Sequence, residues 1–592
     1  MLAAGMLTAT SCSEFDDYNK EVADLTPTGN QTLWENIQQN PQLSTFKSLL
    51  EQAGFSEELN TTHYYTVWAP LDGTFDPAPY QSMSKDQLLR LFVKNHIANY
   101  NHNASGNMDE RVMMLNEKSY NFTGTSSYQF DGVSIDAQNA NLPSSNGVMH
   151  LLNGVAEFYP HLYEFVTDAS LSGTKGLDSL RNYVLRYETT TLDYERSVVG
   201  PIVDGLQTYV DSVMVTENSL WTTLRAEMTS EDSSYTFLMP TNETWVKTYD
   251  RIKANYQFAP IIQAESFAAT DKTPYKLEMG AALAAHMQDS LTLYNMTRNL
   301  VYSNNDFYNL RLSGQQSPLA GDTLRSTTRH KLSNGTDILA ATVEEVKMSN
   351  GTARIVDSLA MLPWETYLPE LQYPATNSRL QAAIAENPTP VRVEDPNPEK
   401  VQLEDNATSF DYLWIEPSSE YNSPELDLYL PNVLSTTYDI YCVFVPQSAS
   451  LKNAGVETLP NRVHFKLNYS DENGNLQEKT FLDERPENPT EFLNQVAAKV
   501  GRSVTIRDNS ERNHQLLYGF TTDTTKVDTL YVGEFTFPTC YYGLDDEYCP
   551  NIKVQTVVAS NSNVRKTFTG ALRIAGIILK PKALVEFEES NK

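Results

Sequence analysis

Histidine, cysteine and carboxylate side chains would have to carry any catalysis or metal binding in this chain. The 592 residues include nine His and four Cys. His63 and His96 lie 33 positions apart (96 minus 63), with no Cys or carboxylate at the spacing of a metal site. No CxxC motif or Cys/His cluster occurs. We therefore expect neither a metal ion nor another cofactor.

Acidic residues offer the second route to chemistry. A glycoside hydrolase needs two carboxylates about 5 to 9 Å apart across a cleft, and spacing along the chain selects no such pair. Sequence motifs of serine hydrolases, nucleotide-binding loops and zinc peptidases are missing. In "SDENGNLQE", Gly474 is at the fourth position counted from Asp471, where a calcium loop needs its glycine at the sixth, so Asn473-Gly474 indicates a hairpin turn. Asp545, Asp546 and Glu547 are interpreted as a solvated loop rather than a calcium site.

Two cysteines flank a loop rich in tyrosine, "CYYGLDDEYC". Cys540 and Cys549 are candidates for a disulfide in an oxidising compartment. Cys442, in the apolar "YDIYCVFV", is predicted to be a buried thiol.

Exposed aromatic rings are the residues that a carbohydrate-binding face would use, because flat rings stack on sugars. The candidates are Tyr541, Tyr542, Tyr548, Trp414 and Tyr421. Packing in the core or at a strand edge is the alternative, and it is the interpretation we favour.

Charge and composition exclude some classes of protein. A formal net charge of -31 would repel phosphate backbones, so we expect no binding of nucleic acid. Hydrophobic residues make up 40% and charged residues 20%, which is typical of folded material. The length suffices for three or four domains of about 150 residues.

The first residues, "MLAAGMLTATSCSEFDD", place an apolar run before Cys12 and acidic residues after it. This pattern resembles a bacterial lipoprotein signal. The resemblance implies a signal peptide at 1–11, a lipidated Cys12 and a tether at 12–27. The acidic residues resemble the export tag of lipoproteins that some Gram-negative gut bacteria carry to the outer face of the outer membrane. Eleven residues are too few to span a bilayer, and no other stretch is long and apolar enough.

Residues 28–168 show an ordered succession of helix and strand patterns. "TLWENIQQNPQLSTFKSLLEQAGF" predicts two short helices interrupted at Pro41. "HYYTVWAP" predicts a strand that ends at Pro70, and "SKDQLLRLFVKNHIANY" predicts a helix with Ser84 as its N-cap.

Three motifs in this region resemble those of the fasciclin domain, a cell-adhesion module. The first box spans 66–75, the short His-containing motif is Asn95-His96-Ile97, and the second box spans 145–155. The matching residues are Thr66, Ala69, Pro70, Asp72, Phe75, His96, Asn146, Gly147 and His150. The resemblance implies a compact α+β wedge. We interpret the imidazoles of His96 and His150 as groups that satisfy buried backbone polar atoms.

A second set of boxes follows further along the chain. "YTFLMPTNETW" supplies Pro240, Asn242 and Trp245, and "SNGTARIVDSLAMLP" supplies Asn350 and Gly351. Leu300 stands where His96 does. The first boxes of the two sets lie 170 positions apart (235 minus 65), and the second boxes lie 204 positions apart (351 minus 147). The second set is therefore longer by 34 residues (204 minus 170), which predicts an insertion within 250–290. We therefore predict a second fasciclin-like domain at 169–370.

Beyond this domain, "NPTPVRVEDPNPEK" predicts a Pro-rich, extended linker at 371–407. Eight short β-branched or alternating runs then predict an all-β sandwich at 408–592. The predicted fold class is α+β, with two fasciclin-like wedge domains followed by this sandwich.

These features favour a non-catalytic, lipid-anchored surface protein that binds a glycan or protein ligand. Adhesion is one role that the resemblance implies, although no integrin-recognition motif is evident. A second role is that of an accessory of a TonB-dependent nutrient importer in the outer membrane. The alternatives are a structural subunit or spacer of a surface complex and, less favoured, a glycan or peptide hydrolase.

Overall fold

The computed structural model of the chain describes residues 29–203, 205–305, 319, 322–403, 407–481, 520–557 and 568–591. The predicted signal peptide, Cys12 and the tether lie outside the described residues. The same holds for "SVTIRD" at 503–508, one of the eight runs from which the β-sandwich is predicted. The described chain divides into two compact units. Unit 1 comprises Met1–Lys175, Glu227–Phe237 and Glu345–Arg354, and unit 2 comprises Gly176–Ala226, Leu238–Glu344 and Ile355–Lys592.

The first 175 residues contain six α-helices and eight strands among those described. The helices are α1 (Leu33–Gln39), α2 (Ser44–Ala53), α3 (Ala78–Gln81), α4 (Lys85–Leu88), α5 (Leu162–Thr167) and α6 (Ala169–Ser172). The strands are β1 (Tyr65–Pro70), β2 (Ile97–Asn99), β3 (Met108–Met113), β4 (Ser119–Gly124), β5 (Tyr128–Phe130), β6 (Val133–Ser134), β7 (Leu142–Ser144) and β8 (Gly147–Leu152).

Local signals in the sequence account for the ends of these helices. Thr32 forms a capping box with Glu35 at the start of α1, and Ser84 forms another with Gln87 at the start of α4. Gly54 closes α2 in the left-handed conformation. The helical path that begins at Lys85 continues through a π turn and a 3-10 turn to His96.

Strand β1 lies at the centre of the sheet that positions both boxes. The strand order is β2-β1-β8-β7, with β1 parallel to β8 and antiparallel to β2. All six residues of β1 and all six of β8 are buried. One side of the sheet packs on α1, α2 and the Lys85–His96 path, and a second core forms around Trp68, Phe122 and Phe130. The strands β3-β4-β5-β6 form a separate antiparallel sheet.

Residues 176–365 contain the next helices and strands. In chain order these are α7 (Asp178–Leu185), β9 (Glu188–Leu192), β10 (Val198–Val203), β11 (Leu206–Asp211), β12 (Met214–Asn218), α8 (Leu220–Leu224), β13 (Tyr235–Pro240), α9 (Asn242–Lys253), β14 (Ile261–Ala264), β15 (Tyr275–Glu278), α10 (Gly280–Thr297), β16 (Val301–Ser303), β17 (Leu324–Arg325), β18 (Lys331–Leu332), α11 (Gly335–Ala340), β19 (Thr342–Met348) and β20 (Gly351–Val356). Four of these strands form a sheet in the order β16-β13-β20-β19.

Two hairpins in this region were not predicted as such from the sequence. The arm, which we define as residues 188–218, consists of the antiparallel pairs β9/β12 and β10/β11. The insertion hairpin, β14 with β15, lies inside the predicted 250–290 insertion.

Among the described residues after 365, strands are the main regular elements. The elements are β21 (Leu371–Pro374), β22 (Gln381–Ala385), β23 (Asn387–Val393), β24 (Phe410–Glu416), β25 (Glu425–Tyr429), β26 (Thr437–Phe444), β27 (Arg462–Ser470), β28 (Leu476–Phe481), β29 (Phe520–Thr521), β30 (Asp528–Thr536), β31 (Asn551–Thr556), β32 (Leu572–Pro581) and the helix α12 (Lys582–Ser590). Seven of the eight predicted runs coincide with strands.

The predicted linker at 371–407 is wrong. Its first part forms β21, β22 and β23, which pair with β32, β25 and β24 respectively. Pro388 and Pro390 are compatible with β23 because this strand lies at the edge of its sheet, where a missing N–H donor costs little.

These strands build two six-stranded sheets. One has the order β23-β24-β32-β26-β30 with β21 paired to β32, and the other has the order β22-β25-β31-β27-β28 with β29 paired to β27. Phe444 of the first sheet contacts Phe465 of the second, with ring centroids 6.4 Å apart. The alternating buried side chains of β27 explain the sequence pattern that predicted it.

Candidate functional site

The Asn-Gly pair of the second box holds three segments of unit 1 together. Oδ1 of Asn146 accepts a hydrogen bond from the Leu33 amide at 2.8 Å, and its Nδ2 donates to the carbonyls of Leu59 and Thr61. Gly147 has φ +148°, and a Cβ there would lie 1.9 Å from the carbonyl oxygen of Tyr65. The pair is thus used to join β8 to β1.

The second Asn-Gly pair makes the same set of contacts. Oδ1 of Asn350 accepts from the Leu162 amide at 2.9 Å, and Nδ2 donates to the carbonyls of Met228 and Ser230. Gly351 has φ +142°, and its Cβ would lie 1.9 Å from the carbonyl oxygen of Tyr235. Both pairs are therefore structural.

The polar residue of each first box caps a helix. Asp72 accepts hydrogen bonds from the amides of Ser44 and Thr45 at the start of α2. Burial acts to raise the pKa of Asp72, but these hydrogen bonds outweigh it and lower that pKa. Asn242 accepts from the Ser179 amide at 2.8 Å at the start of α7.

The other predicted motif residues also lie inside the fold. Thr66 bonds the Tyr100 carbonyl, Ala69 is buried in β1, and Pro70 and Pro240 end β1 and β13. Phe75 stacks on Phe92, and the buried Trp245 contacts Tyr183.

Both motif imidazoles are buried, and each binds backbone groups through both nitrogens. Nδ1 of His96 donates to the Phe92 carbonyl at 2.8 Å, and Nε2 accepts from the Ala156 amide at 3.1 Å. His150 accepts from the Asn141 amide and donates to the His102 carbonyl. Burial lowers the pKa of each imidazole to about 4, so both are neutral near pH 7. Neither ring has a nitrogen left to act as a base.

Acidification is expected to destabilise unit 1 through these two imidazoles. A histidine with a pKa of about 6.5 in the unfolded chain and about 4 in the folded chain contributes stability that falls as pH drops from 6.5 towards 4. At pH 5 the loss is about 2 kcal/mol for each ring. Hydrogen exchange of β1 and β8 at pH 7 and pH 5 measures it. His96→Leu, which copies Leu300, should flatten the dependence, whereas the exposed His63→Gln should not. An unchanged slope in His96→Leu would contradict this explanation.

The structure assigns no catalytic or metal-binding role to the remaining candidates. Cys442, Cys540 and Cys549 are buried free thiols, so the predicted disulfide is not formed. The sulfur of Cys540 instead accepts from the Tyr542 amide, and that of Cys549 contacts the Asp545 carbonyl. Within the described residues, no group of three or more His, Cys, Asp or Glu is placed to hold a metal ion.

The candidate sugar-binding aromatic residues differ in exposure. Tyr541 is buried, and its hydroxyl bonds Ser470. Trp414 stacks under the guanidinium of Arg573 at 4.9 Å. Tyr421 and Tyr542 are exposed.

The arm is a surface that the sequence analysis missed. Five apolar side chains of β10 and β11 are more than half exposed: Val198, Val199, Ile202, Leu206 and Val210. Exposed apolar side chains concentrated on one element are typical of a protein or membrane contact. The turn dipeptide Asp204-Gly205 between two apolar runs is the sequence signal that predicts such a hairpin.

A buried carboxylate on the outer face of the second β-sheet was also missed. Asp427 is 1% exposed, and its Oδ1 has no hydrogen-bond partner among the described residues. Burial raises its pKa to about 7, although the ammonium of Lys553 lies 3.7 Å from Oδ2. The alternation in "ELDLYL" places Asp427 on the face opposite the core. Local sequence cannot show that this face is covered.

The insertion hairpin lies against this β-region. Nδ2 of Asn468 donates to Glu265 at 2.5 Å, and Phe267 contacts Tyr429. Gly474, in the predicted turn after β27, approaches Ile261 so closely that a Cβ would lie 2.3 Å from the Ile261 carbonyl oxygen. The insertion therefore packs against the β-region of unit 2.

Gly474→Ala is expected to displace the insertion hairpin at a cost of about 2 kcal/mol, because φ is +79° and the methyl group meets a backbone oxygen. Faster hydrogen exchange in 261–278 is the readout. Gly543→Ala is the matched control, since Gly543 has φ +74° and no atom of the described part of the chain within 4 Å of its Cβ position. Equal exchange in the two variants would show that the close approach does not matter.

The elements of residues 29–157 define an α+β module, and its polar motif residues form hydrogen bonds that stabilise its sheet. Residues 41–157 match the family model of the fasciclin domain, so the prediction of such a domain near the N-terminus is confirmed. Fasciclin domains are typically adhesion or binding modules without enzymatic activity. No curated protein matches the chain.

Solved structures give matches of low similarity. A FAS1 domain pair from the insect cell adhesion molecule Fasciclin I is 11% identical, covers 56% of this chain and 97% of its own, and has a TM-score of 0.17. A xylan-binding domain from CBM 22 is 11% identical, with 36% and 94% covered and a TM-score of 0.18. A Paenibacillus xanthan lyase is 9% identical, with 40% and 16% covered and a TM-score of 0.19. Scores this low say nothing about ligand or activity.

Proposed function

We propose that this chain is a non-catalytic binding protein that is anchored by lipid at Cys12 to the outer face of an outer membrane. The observation that carries the proposal is the fasciclin domain at 41–157, whose motif amides and imidazoles are bound to its own backbone. None of these motif groups is available for catalysis. None of the described helices is long and apolar enough to cross a membrane.

The proposal includes a second fasciclin-like domain and a terminal β-sandwich. The second domain is supported by the strand order β16-β13-β20-β19, which parallels β2-β1-β8-β7, and by the matching contacts of Asn146 and Asn350. The sandwich is supported by the two six-stranded sheets and the contact between Phe444 and Phe465.

The ligand is a protein or a glycan on the cell surface. A protein ligand is favoured, because two of the candidate sugar-stacking rings are engaged within the fold: Tyr541 is buried and Trp414 packs on Arg573. The exposed apolar side chains of the arm favour the second candidate function, that of a structural subunit in a surface complex, over a hydrolase.

Fractionation of a Gram-negative host that produces the full chain tests the anchor. The wild type is expected in the outer membrane and within reach of a surface protease, and Cys12→Ala is expected in the soluble fraction. Membrane retention of Cys12→Ala would overturn lipid anchoring.

Purification of the lipidated chain from solubilised outer membranes of its own source tests the partner. Recovery of a TonB-dependent transporter together with the chain would make the chain an importer accessory. Recovery of the chain without any partner would favour an adhesin. Hydrolysis of a glycan or peptide by the purified chain, lost in a variant of one carboxylate, would overturn the non-catalytic assignment.

A further inference from the structure

The outer part of the arm, β10 with β11, is a two-stranded ribbon that is apolar on both faces. Leu206 and Val210 are 73% and 75% exposed, and Ile202, opposite Gln207, is 70% exposed. An isolated two-stranded ribbon is at best marginally stable in water, and three or more strands are usually needed. We therefore expect this ribbon to be stabilised when a further strand pairs with one of its edges.

The two edges of this ribbon differ in how well they are protected. β10 contains Gly200 and Pro201, and its register with β11 shifts between Val199 and Ile202. A proline and an irregular ladder are devices that keep an edge strand from pairing. β11 reads "LQTYVD" and has no Gly, Pro or Lys. The free edge of β11 is therefore the one open to strand addition.

We infer that β11 pairs antiparallel with β11 of a second copy of this chain. A twofold axis at Thr208 places Leu206 of one copy opposite Val210 of the other and Gln207 opposite Tyr209. Leu206, Thr208 and Val210 share one face of the strand, so four aliphatic side chains meet around two threonines. A shift of one residue would put Asp211 opposite Leu206, which disfavours that register. The segment is complementary to itself.

Charge makes the arm the region through which a second copy can approach. Each chain carries a net charge of -31, so two copies repel over most of their surfaces. Residues 198–210 contain a single charged residue, Asp204. Two copies can therefore approach through the arm with the least repulsion, and added salt strengthens the pairing. The result is a continuous four-stranded sheet formed by two arms.

Sedimentation velocity of the full chain tests the inference. The chain carries Cys12→Ser so that no lipid is attached, and it is measured at about 1 to 100 μM, the range of a moderate affinity. The expected result is a monomer–dimer equilibrium that shifts towards the dimer as salt is added. Leu206→Lys with Val210→Lys is expected to give only monomer. Val199→Lys with Ile202→Lys, the matched control on β10, should retain the dimer. All four positions are more than 60% exposed, so neither pair disturbs a core.

A charge swap tests the register. Leu206→Glu with Val210→Lys places a carboxylate opposite an ammonium twice across the axis and is expected to restore the dimer that the double-lysine variant loses. Oxidised Thr208→Cys is expected to crosslink two copies at the axis, whereas Val199→Cys is not.

A monomeric wild type at every concentration overturns the inference, as does a dimer that survives Leu206→Lys with Val210→Lys. Binding of monomers to phosphatidylethanolamine/phosphatidylglycerol vesicles, lost with the same double-lysine variant, would assign the arm to a lipid surface and likewise overturn it. The inference goes beyond the proposed function, because loss of the dimer leaves the membrane fractionation of the chain unchanged.

Discussion

Gly147→Ala is expected to destabilise unit 1 by about 4 kcal/mol, close to the upper end of the effects of single substitutions. The new methyl group would lie 1.9 Å from the Tyr65 carbonyl oxygen. In addition, residues other than glycine rarely adopt a backbone φ of +148°. The oxygen belongs to the backbone of β1, in the centre of the sheet, so it cannot move aside. Hydrogen exchange of β1 and β8 in increasing urea measures the loss.

Gly73→Ala separates the two causes of this effect. Gly73 has φ +76°, but no atom of the described residues lies within 4 Å of the position of its Cβ. We expect it to cost only about 1 kcal/mol, from the backbone conformation alone. Equal losses in the two variants would mean that the contact with Tyr65 contributes nothing.

Lys118→Met is expected to cost unit 1 about 3 to 5 kcal/mol, because it removes the buried ammonium that Glu164 and Glu231 share and leaves Glu164 with Arg90 at 3.5 Å. The Lys118 side chain is 3% exposed, and its Nζ lies 2.6 Å from Glu164 and 3.1 Å from Glu231. Urea denaturation at pH 7 measures the difference. Lys247→Met is the control, since Lys247 and Glu243 form an exposed pair that is worth at most about 0.5 kcal/mol.

The pH dependence of Lys118→Met shows whether charge is the cause. Burial acts to raise the pKa of Glu164, but His161 and Lys118 outweigh it and lower that pKa in the native protein. A carboxylate with a lowered pKa contributes stability above its unfolded pKa and loses it as pH falls. Wild type therefore loses the contribution of Lys118 on acidification, whereas the variant has none to lose. The gap between the two stabilities should narrow as pH falls below about 4.3, the usual pKa of a glutamate in the unfolded chain, and a constant gap would argue for lost packing instead.

Residues close together in sequence carried most of the correct predictions. The pairs Asn146-Gly147 and Asn350-Gly351 can be recognised from the few residues around them. The strand "RVHFKLNYS" can be recognised from its alternating pattern, because one face of its sheet is buried. Prolines misled us at 387–393, because Pro388 and Pro390 indicate an extended linker and an edge strand equally well.

Contacts over long sequence distances were not visible in the sequence. Lys118 meets carboxylates 46 and 113 positions away, and no local pattern marks such a cluster. Asp427 looks like a solvated residue of an alternating strand until its burial on the covered face is known. The arm was missed because the short apolar runs around Asp204-Gly205 lie outside both boxes.

The hydrogen bonds of the two structural asparagines also affect how the chain ages chemically. Asparagine followed by glycine is the dipeptide most prone to lose ammonia, because the glycine amide nitrogen attacks the side-chain carbonyl carbon and forms a cyclic imide. In the folded protein, three hydrogen bonds hold each of the Asn146 and Asn350 side chains away from that attack. Asn473 lies in an exposed turn, where its hydrogen bond to Asp471 is made by the backbone amide and not by the side chain. Deamidation at 146 and 350 would therefore accumulate only while unit 1 is unfolded. The extent of deamidation at these two positions in an aged sample would report the time that unit 1 has spent unfolded.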